Sequence, residues 1–292
     1  MKKLGLASAL LLAMTGAQAY QVEVQGQSEY IDNTVNSKNF TGAVQGTYYF
    51  KNVDSSKGPL AEAAFLNQAS NASLAYNYGE YDVNGIADQN THTIGAKAEA
   101  YVPTKYVPVY ASASYSNTII DNKDHKADDH GDRFSVELGA VVAPNFLVAL
   151  GYTSAPNQVA YDAFGILANG VAQAAQEQQT IGKDQDAITA RTKYVGAIDG
   201  TNMAIGFETN ALFAEKNAYG LKTDLYINPA LSVGASYAQA NGAVNNKEAW
   251  GVNANYFITP AVAVGVDYVN VNATNNAKTD TQTVGVNAKF RF

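Results

Sequence analysis

The last twelve residues, Thr281–Phe292 (TQTVGVNAKFRF), constrain the fold more than any other stretch. With a period of two, Gln282, Val284, Val286, Ala288, Phe290 and Phe292 fall on one side. Thr283, Gly285, Asn287, Lys289 and Arg291 fall on the other. Successive strand side chains point to opposite faces, so the stretch predicts a strand with one apolar and one polar face. Chain ends are ordinarily polar and frayed, whereas this one carries two aromatics on its apolar face. Such a strand suits a wall that meets lipid outside, with Phe290 and Phe292 at the membrane interface. The pair also matches the aromatic end that serves bacterial barrels as an assembly signal.

The other end carries an export pattern. Lys2 and Lys3 precede the apolar run Leu4–Met14, and Ala17-Gln18-Ala19 has the small residues of a cleavage site. The run is shorter than the ~20 residues of a membrane-spanning helix. The expected domains are therefore a signal peptide at 1–19, cleaved after Ala19, and one β-barrel at 20–292. The chain has no cysteine and a net charge of −7, which argues against nucleic acid as a partner. Nineteen tyrosines and 24 glycines beside one tryptophan favour strands over helices. Beyond the leader no apolar run is long enough for a spanning helix, and a spanning chain without helices can only be a closed barrel.

The same period-two reading finds strands along the whole chain. In order they are 21–30, 40–50, 73–81, 91–102, 107–117, 133–142, 146–153, 191–199, 203–213, 218–227, 231–239, 248–258, 262–271 and 281–292. The fold expected is an all-β, antiparallel, up-and-down transmembrane barrel of about 14 strands. Short connections such as Ala143-Pro144-Asn145, Asn228-Pro229-Ala230 and Thr259-Pro260-Ala261 alternate with longer polar ones. That alternation is the pattern of periplasmic turns and outer loops. Pro144, Pro229 and Pro260 are each followed eight residues later by Tyr152, Tyr237 and Tyr268. Eight tilted strand residues climb roughly 20 Å, which puts these rings in an aromatic girdle at the far interface. Two long connections stand out. Lys51–Ala72 is too long for a turn, and its Glu62–Asn67 reads as a short helix or an extra strand segment. Ser154–Ala190 holds the helix-like Ile166–Gln179, and two readings stand for it: a segment folded into the lumen, or a surface loop.

If the apolar faces meet lipid, the polar faces enclose water. The predicted pore-lining charges are then Glu23, Glu29, Glu99, Glu137, Glu208, Asp224 and Asp267, against Lys97, Arg133, Arg191, Lys193, Lys222, Lys289 and Arg291. Seven against seven predicts little discrimination by net charge. The richest chemistry outside the strands is Asp121–Asp132 (DNKDHKADDHGD), with His125 and His130. Its spacing fits no calcium loop and no zinc motif, and a solvated loop accounts for it. No nucleophile motif sits at a strand-to-helix turn. The expectation is no catalytic residue, no metal ligand and no cofactor.

YQVEVQGQSEYID at the start of the expected mature chain, KGPLAEAAFLNQAS at Lys57–Ser70 and the KFRF end resemble the porin of Acinetobacter-type bacteria, the 33–36 kDa outer-membrane protein family. The resemblance implies a monomeric 14-stranded barrel that passes water and small solutes, with a link to entry of β-lactams. The expected partners are outer-membrane lipid, lipopolysaccharide, the barrel-assembly machinery and small solutes. The alternative is a plugged barrel whose outer loops serve adhesion or host contact.

Overall fold

Alternation becomes architecture once each strand's apolar side finds its surroundings. The structure, a computed structural model, describes residues 19–33, 40–83, 87–123, 129–155, 161–165, 185–214, 217–240, 246–274 and 281–292. Within them lie β1 (Ala19–Asn33), β2 (Phe40–Asp54), β3 (Asn71–Val83), β4 (Ala87–Val102), β5 (Val109–Asn122), β6 (Asp129–Ala143) and β7 (Phe146–Ala155). The second half supplies β8 (Gln185–Ala197), β9 (Ala204–Phe213), β10 (Ala218–Asn228), β11 (Leu231–Ala240), β12 (Asn246–Thr259), β13 (Val262–Thr274) and β14 (Thr281–Arg291). Each strand pairs with its sequence neighbours, and β14 returns to β1, so the sheet is a closed barrel of 14 strands. Closure satisfies the edge hydrogen bonds that an open sheet would leave bare in lipid. No helix among the described residues is long and apolar enough to cross a membrane. Of the expected cleavage signal, Ala17 lies outside the described residues, while Ala19 opens β1 and pairs with Asp54.

Large apolar side chains dominate the outer surface. Leu74, Leu138, Leu150 and Val266 are exposed at mid-height. A soluble protein would not tolerate so continuous an apolar face. Tyr152, Tyr237 and Trp250 stand outward near one rim, and Trp250 packs 5.4 Å from Tyr268. Tyr48, Phe50, Tyr256, Phe290 and Phe292 stand outward near the other. The proline-to-tyrosine spacing therefore links the two aromatic bands.

The three proline turns share one construction. Pairing slips between Val141 and Ala143, between Tyr226 and Asn228, and between Phe257 and Thr259, just before each proline. The extra residue sharpens the local twist so that the chain can reverse. Asn228 Oδ1 accepts from the backbone N–H groups of Ala230 and Leu231 at 2.8 and 2.9 Å. Asn145 takes the left-handed conformation that asparagine tolerates, at φ 57°.

Strand ends differ from expectation where polar residues continue the pairing. β8 begins at Gln185 rather than near 191, because Ile188 and Ala190 pair with β7. That shortens the connection expected at Ser154–Ala190. β5 and β6 likewise extend into the acidic stretch 121–132.

The apolar core lies inside the barrel at the turn end. Tyr110, Val141, Leu147, Val195, Ala204 and Tyr226 point inward there and bury Phe65. Phe65 comes from the connection between β2 and β3, where a single 3-10 turn (Leu60–Glu62) runs into the one-turn helix α1 (Ala63–Leu66). The helix reading of Glu62–Asn67 holds for its middle. The long connection is thus a plug that enters the barrel.

Candidate functional site

The interior has two walls of different character, divided by this plug. Asn67 closes α1 by donating its side-chain amide to both Ala63 O and Asp54 O at 2.7 Å, which pins the helix to the end of β2. Gln68 then adopts a left-handed φ of 47°, turning the chain back into β3. Leu60 N–H donates to Pro229 O at 2.8 Å, and Leu60 packs on Phe257 and Ala263. Ala63 and Ala69 pack on Tyr20, Tyr49 and Val53. The plug therefore touches β1 and β2, the β5–β8 wall, and β10–β13. It crosses the whole bore.

Ion pairs lock it. Glu62 Oε2 lies 2.9 Å from Lys193 Nζ, and Tyr226 donates its hydroxyl to Glu62 Oε1 at 2.7 Å. Burial alone would raise the Glu62 carboxyl, but the Lys193 charge and the Tyr226 hydroxyl outweigh it and hold the pKa at about 2. Arg291 is 2 % exposed, with its guanidinium 4.5 Å from the Tyr20 ring and 4.6 Å from the Phe257 ring. It donates to Glu23 Oε2 at 2.8 Å and to Leu60 O at 2.9 Å. Lys289 holds the other Glu23 oxygen at 3.0 Å.

Every residue predicted to line a pore stands on the inner face, but they are not equivalent. Glu23, Lys97, Glu99, Arg191 and Lys193 border a cavity of about 260 Å³ on one side of the plug. Lys222, Asp224, Asp267 and Lys289 border one of about 160 Å³ on the other, and Glu62 borders both. Arg291 lies beneath the plug as an anchor. Arg191 donates to Glu137 Oε2 at 3.0 Å and to the Tyr110 hydroxyl at 2.8 Å, and approaches Glu208 at 3.9 Å. Tyr110 passes the chain on to Glu99 at 2.7 Å, where Lys97 also lies 3.0 Å away. Lys222 pairs with Asp224 at 3.3 Å, and Arg133 reaches Asp162 at 4.0 Å. Among the described residues, Glu29 and Asp267 are the two of these fourteen charges without an ion pair.

A second segment enters from the other rim. In the connection between β7 and β8, Tyr161 N–H donates to Thr118 Oγ1 at 3.0 Å and Ala163 N–H to Ser116 Oγ at 3.2 Å. Ala163 is fully buried, and Phe164 reaches the larger cavity. Gly95 makes this approach possible, since a Cβ there would meet the Ala163 Cβ at 2.5 Å. Residues 161–165 thus lie inside the barrel, as the lumenal reading expects, whereas Ile166–Gln179 falls outside the described residues.

The acidic stretch assembles differently. Asp132 accepts from the outward Tyr115 hydroxyl at 2.6 Å, and Asp121 lies 3.4 Å from His92 on the outer face. These groups diverge from the lumen. No group of three or more histidine, cysteine, aspartate or glutamate side chains comes together to hold a metal among the described residues, and His125 lies outside them.

Comparison with known proteins agrees with this geometry. No curated protein matches the sequence. The Acinetobacter baumannii outer membrane protein Omp33, a crystal structure, is 52 % identical, with a TM-score of 0.69 over 95 % of this chain and 100 % of its own. Two more distant structures share the fold alone. The CymD monoaromatic hydrocarbon channel is 10 % identical, with a TM-score of 0.56 over 99 % of this chain and 92 % of its own. A Pseudomonas aeruginosa FadL homologue is 10 % identical, with a TM-score of 0.52 over 94 % and 90 %. The family described as "Putative general bacterial porin" matches residues 1–292. An apolar outside, a charged inside and this whole-length match together make the chain a member of that family of general bacterial porins, a barrel of the outer membrane.

Proposed function

We propose that the barrel passes water and small hydrophilic solutes, β-lactams among them, by passive diffusion down their gradients. The observation that carries this reading is the pair of polar cavities flanking the plug. Both are bordered by charged and amide side chains, and both lie inside a wall whose outer face is apolar. Conduction needs groups that replace water without holding the solute. Side chains already engaged with one another, as Lys97 is with Glu99 and Lys193 with Glu62, can do that. On this reading the inner-face charges, from Glu23 to Lys289, line the path, and residues 1–19 are removed on export. The barrel acts as a monomer in lipopolysaccharide-bearing membrane after assembly guided by Phe290 and Phe292. It performs no catalysis and needs no cofactor.

Crossing of the bore by two segments also favours a second reading, a plugged barrel whose loops make adhesive contacts. The refolded protein in liposomes decides between them, with a size series of neutral sugars measured beside water permeation. Graded sugar entry supports the channel. If neither water nor sugar passes, the channel reading fails and the plugged barrel stands.

A further inference from the structure

The unpaired carboxylates share one wall. Strand register places Glu29 opposite Gly285, and Gly285 opposite Asp267, across β1, β14 and β13. Neighbouring strands are about 4.8 Å apart, so the two acid backbones stand roughly 10 Å apart with a glycine between them. The Asp267 carboxylate lies flat over that glycine: a Cβ on Gly285 would overlap Asp267 Oδ2. Asp267 is only 7 % exposed, and its Oδ1 has no hydrogen-bond partner. An unsatisfied carboxylate oxygen is costly unless something neutralises it.

The neighbours offer oxygen rather than positive charge. In the adjacent row Gln27 pairs with Asn287. Gln27 gives its amide N–H to Glu29 Oε1 at 2.5 Å, which leaves its amide oxygen to accept a cation, and the Asn287 amide lies over the neighbouring Gly265, where an added Cβ would meet its Oδ1 at 2.6 Å. The nearby cations are committed elsewhere: Lys222 lies 3.3 Å from Asp224 and Lys289 3.0 Å from Glu23. Asp267, Gln27 and Asn287 all face the smaller cavity.

From this geometry we propose that Glu29 and Asp267, with the side-chain oxygens of Gln27 and Asn287, form a weak, exchangeable binding station for a hard inorganic cation in the channel. Two carboxylates with neutral oxygens suit calcium-like or alkali ions, and the lack of nitrogen and sulfur ligands disfavours transition metals. Binding strong enough to attract and weak enough to release is what a conducting site needs. The seven-to-seven balance expected of the lumen therefore gives way to a local preference for cations. The inference deepens the channel reading and, for its effect on current, rests on it.

The test uses the full folded chain. Calcium chloride is titrated by calorimetry into the detergent-solubilised wild type, D267N and E29Q. Reversal potentials are then measured in potassium chloride gradients across planar bilayers. The expected result is calcium binding weakened about tenfold or more by either substitution, since affinity follows ligand charge. The potassium-over-chloride preference should fall toward neutrality in step. Folding of each variant is checked by its heat-dependent shift in gel mobility, and E29Q alone carries the test if D267N does not fold. Equal calcium affinity in wild type and variants overturns the station, as does a wild type that neither binds calcium nor prefers potassium. Calcium binding without any current would keep the station and defeat the channel reading.

Discussion

Glu62 Oε2 and Lys193 Nζ lie 2.9 Å apart, although one belongs to the connection between β2 and β3 and the other to the opposite wall. The contact ties the plug across the bore at its middle. Packing of Phe65 holds one flank and Leu60 the other. The constriction of the lumenal reading of the β7–β8 connection therefore has a second component, which enters from the turn end. A pore narrowed by a folded-in segment can be widened by loosening that segment while the wall stays intact.

Removing the pair should do this. E62A leaves Lys193 with only Glu208, at 3.8 Å, and strands the Tyr226 hydroxyl. Breaking a fully buried pair costs about 3–5 kcal/mol, and solvent access to Lys193 brings the expected cost to roughly 1–3 kcal/mol. The loss falls on plug docking, so single-channel conductance should rise while the unfolding temperature changes little. E62Q, which still accepts from Tyr226, should lie between. Unchanged current in E62A would locate the limiting constriction elsewhere.

Acid should have the same effect, in a defined window. The folded Glu62 pKa is held at about 2, below the ordinary glutamate value near 4.3. A depressed carboxylate contributes its full stability above the undocked pKa and loses it as pH falls toward the docked one. Conductance should thus be flat from neutrality to about pH 4.5 and rise between about pH 4 and 2. E62Q should lack the acid phase. A rise centred near pH 6, or one that persists in E62Q, would exclude Glu62 as the titrating group.

The wall was readable in the sequence because a strand between lipid and water must alternate, and Val284–Phe290 against Gly285–Lys289 shows it with no partner in view. The plug was harder to read. Its signal is divided: Leu60 and Phe65 sit in a connection, while Tyr110, Leu147, Val195 and Tyr226 put apolar groups on inner faces that are otherwise polar. Those four stand near the turn ends of their strands, so together they mark a buried layer there. Which charges would pair was legible only in part. Counting Lys222 with Asp224 and Lys97 with Glu99 needs only strand alternation, but Glu62–Lys193 needs the plug, and the isolation of Glu29 and Asp267 needs the register across Gly285.

Gly95 should control the segment from the other rim. Valine there would overlap Ala163 and crowd Ser116 Oγ, which lies 2.9 Å from the added Cβ. Overpacking of this kind costs about 1–3 kcal/mol, and the inward segment can yield where the wall cannot. G95V should free Tyr161–Gly165 from Thr118 and Ser116, raise protease cleavage in the β7–β8 connection, and admit larger sugars into liposomes. S116A, which removes only the bond to Ala163 N–H, should give a smaller change in the same direction. Cleavage and sugar cutoff identical to wild type would mean that the segment stays docked by other contacts.

Phe292 closes the seam where β14 meets β1. Its carbonyl accepts from Gln21 and Val22 N–H at 2.8 and 3.1 Å, and its own N–H donates to Val22 O at 2.9 Å. Its ring stands on the outer face, on the same side as Phe290. F292A keeps all three backbone bonds and removes only the ring. Deleting Phe292 removes both, leaving the Gln21 and Val22 amides without these partners, at roughly 1–3 kcal/mol for each unsatisfied group. If the ring serves recognition during assembly, F292A should reduce the amount of folded barrel in cells by several fold. Its unfolding temperature after refolding in detergent should stay close to wild type. The deletion should lower both. Heat-dependent gel mobility of membrane fractions and of refolded protein separates the two effects, and normal cellular yield of F292A would show that the terminal ring is dispensable for assembly.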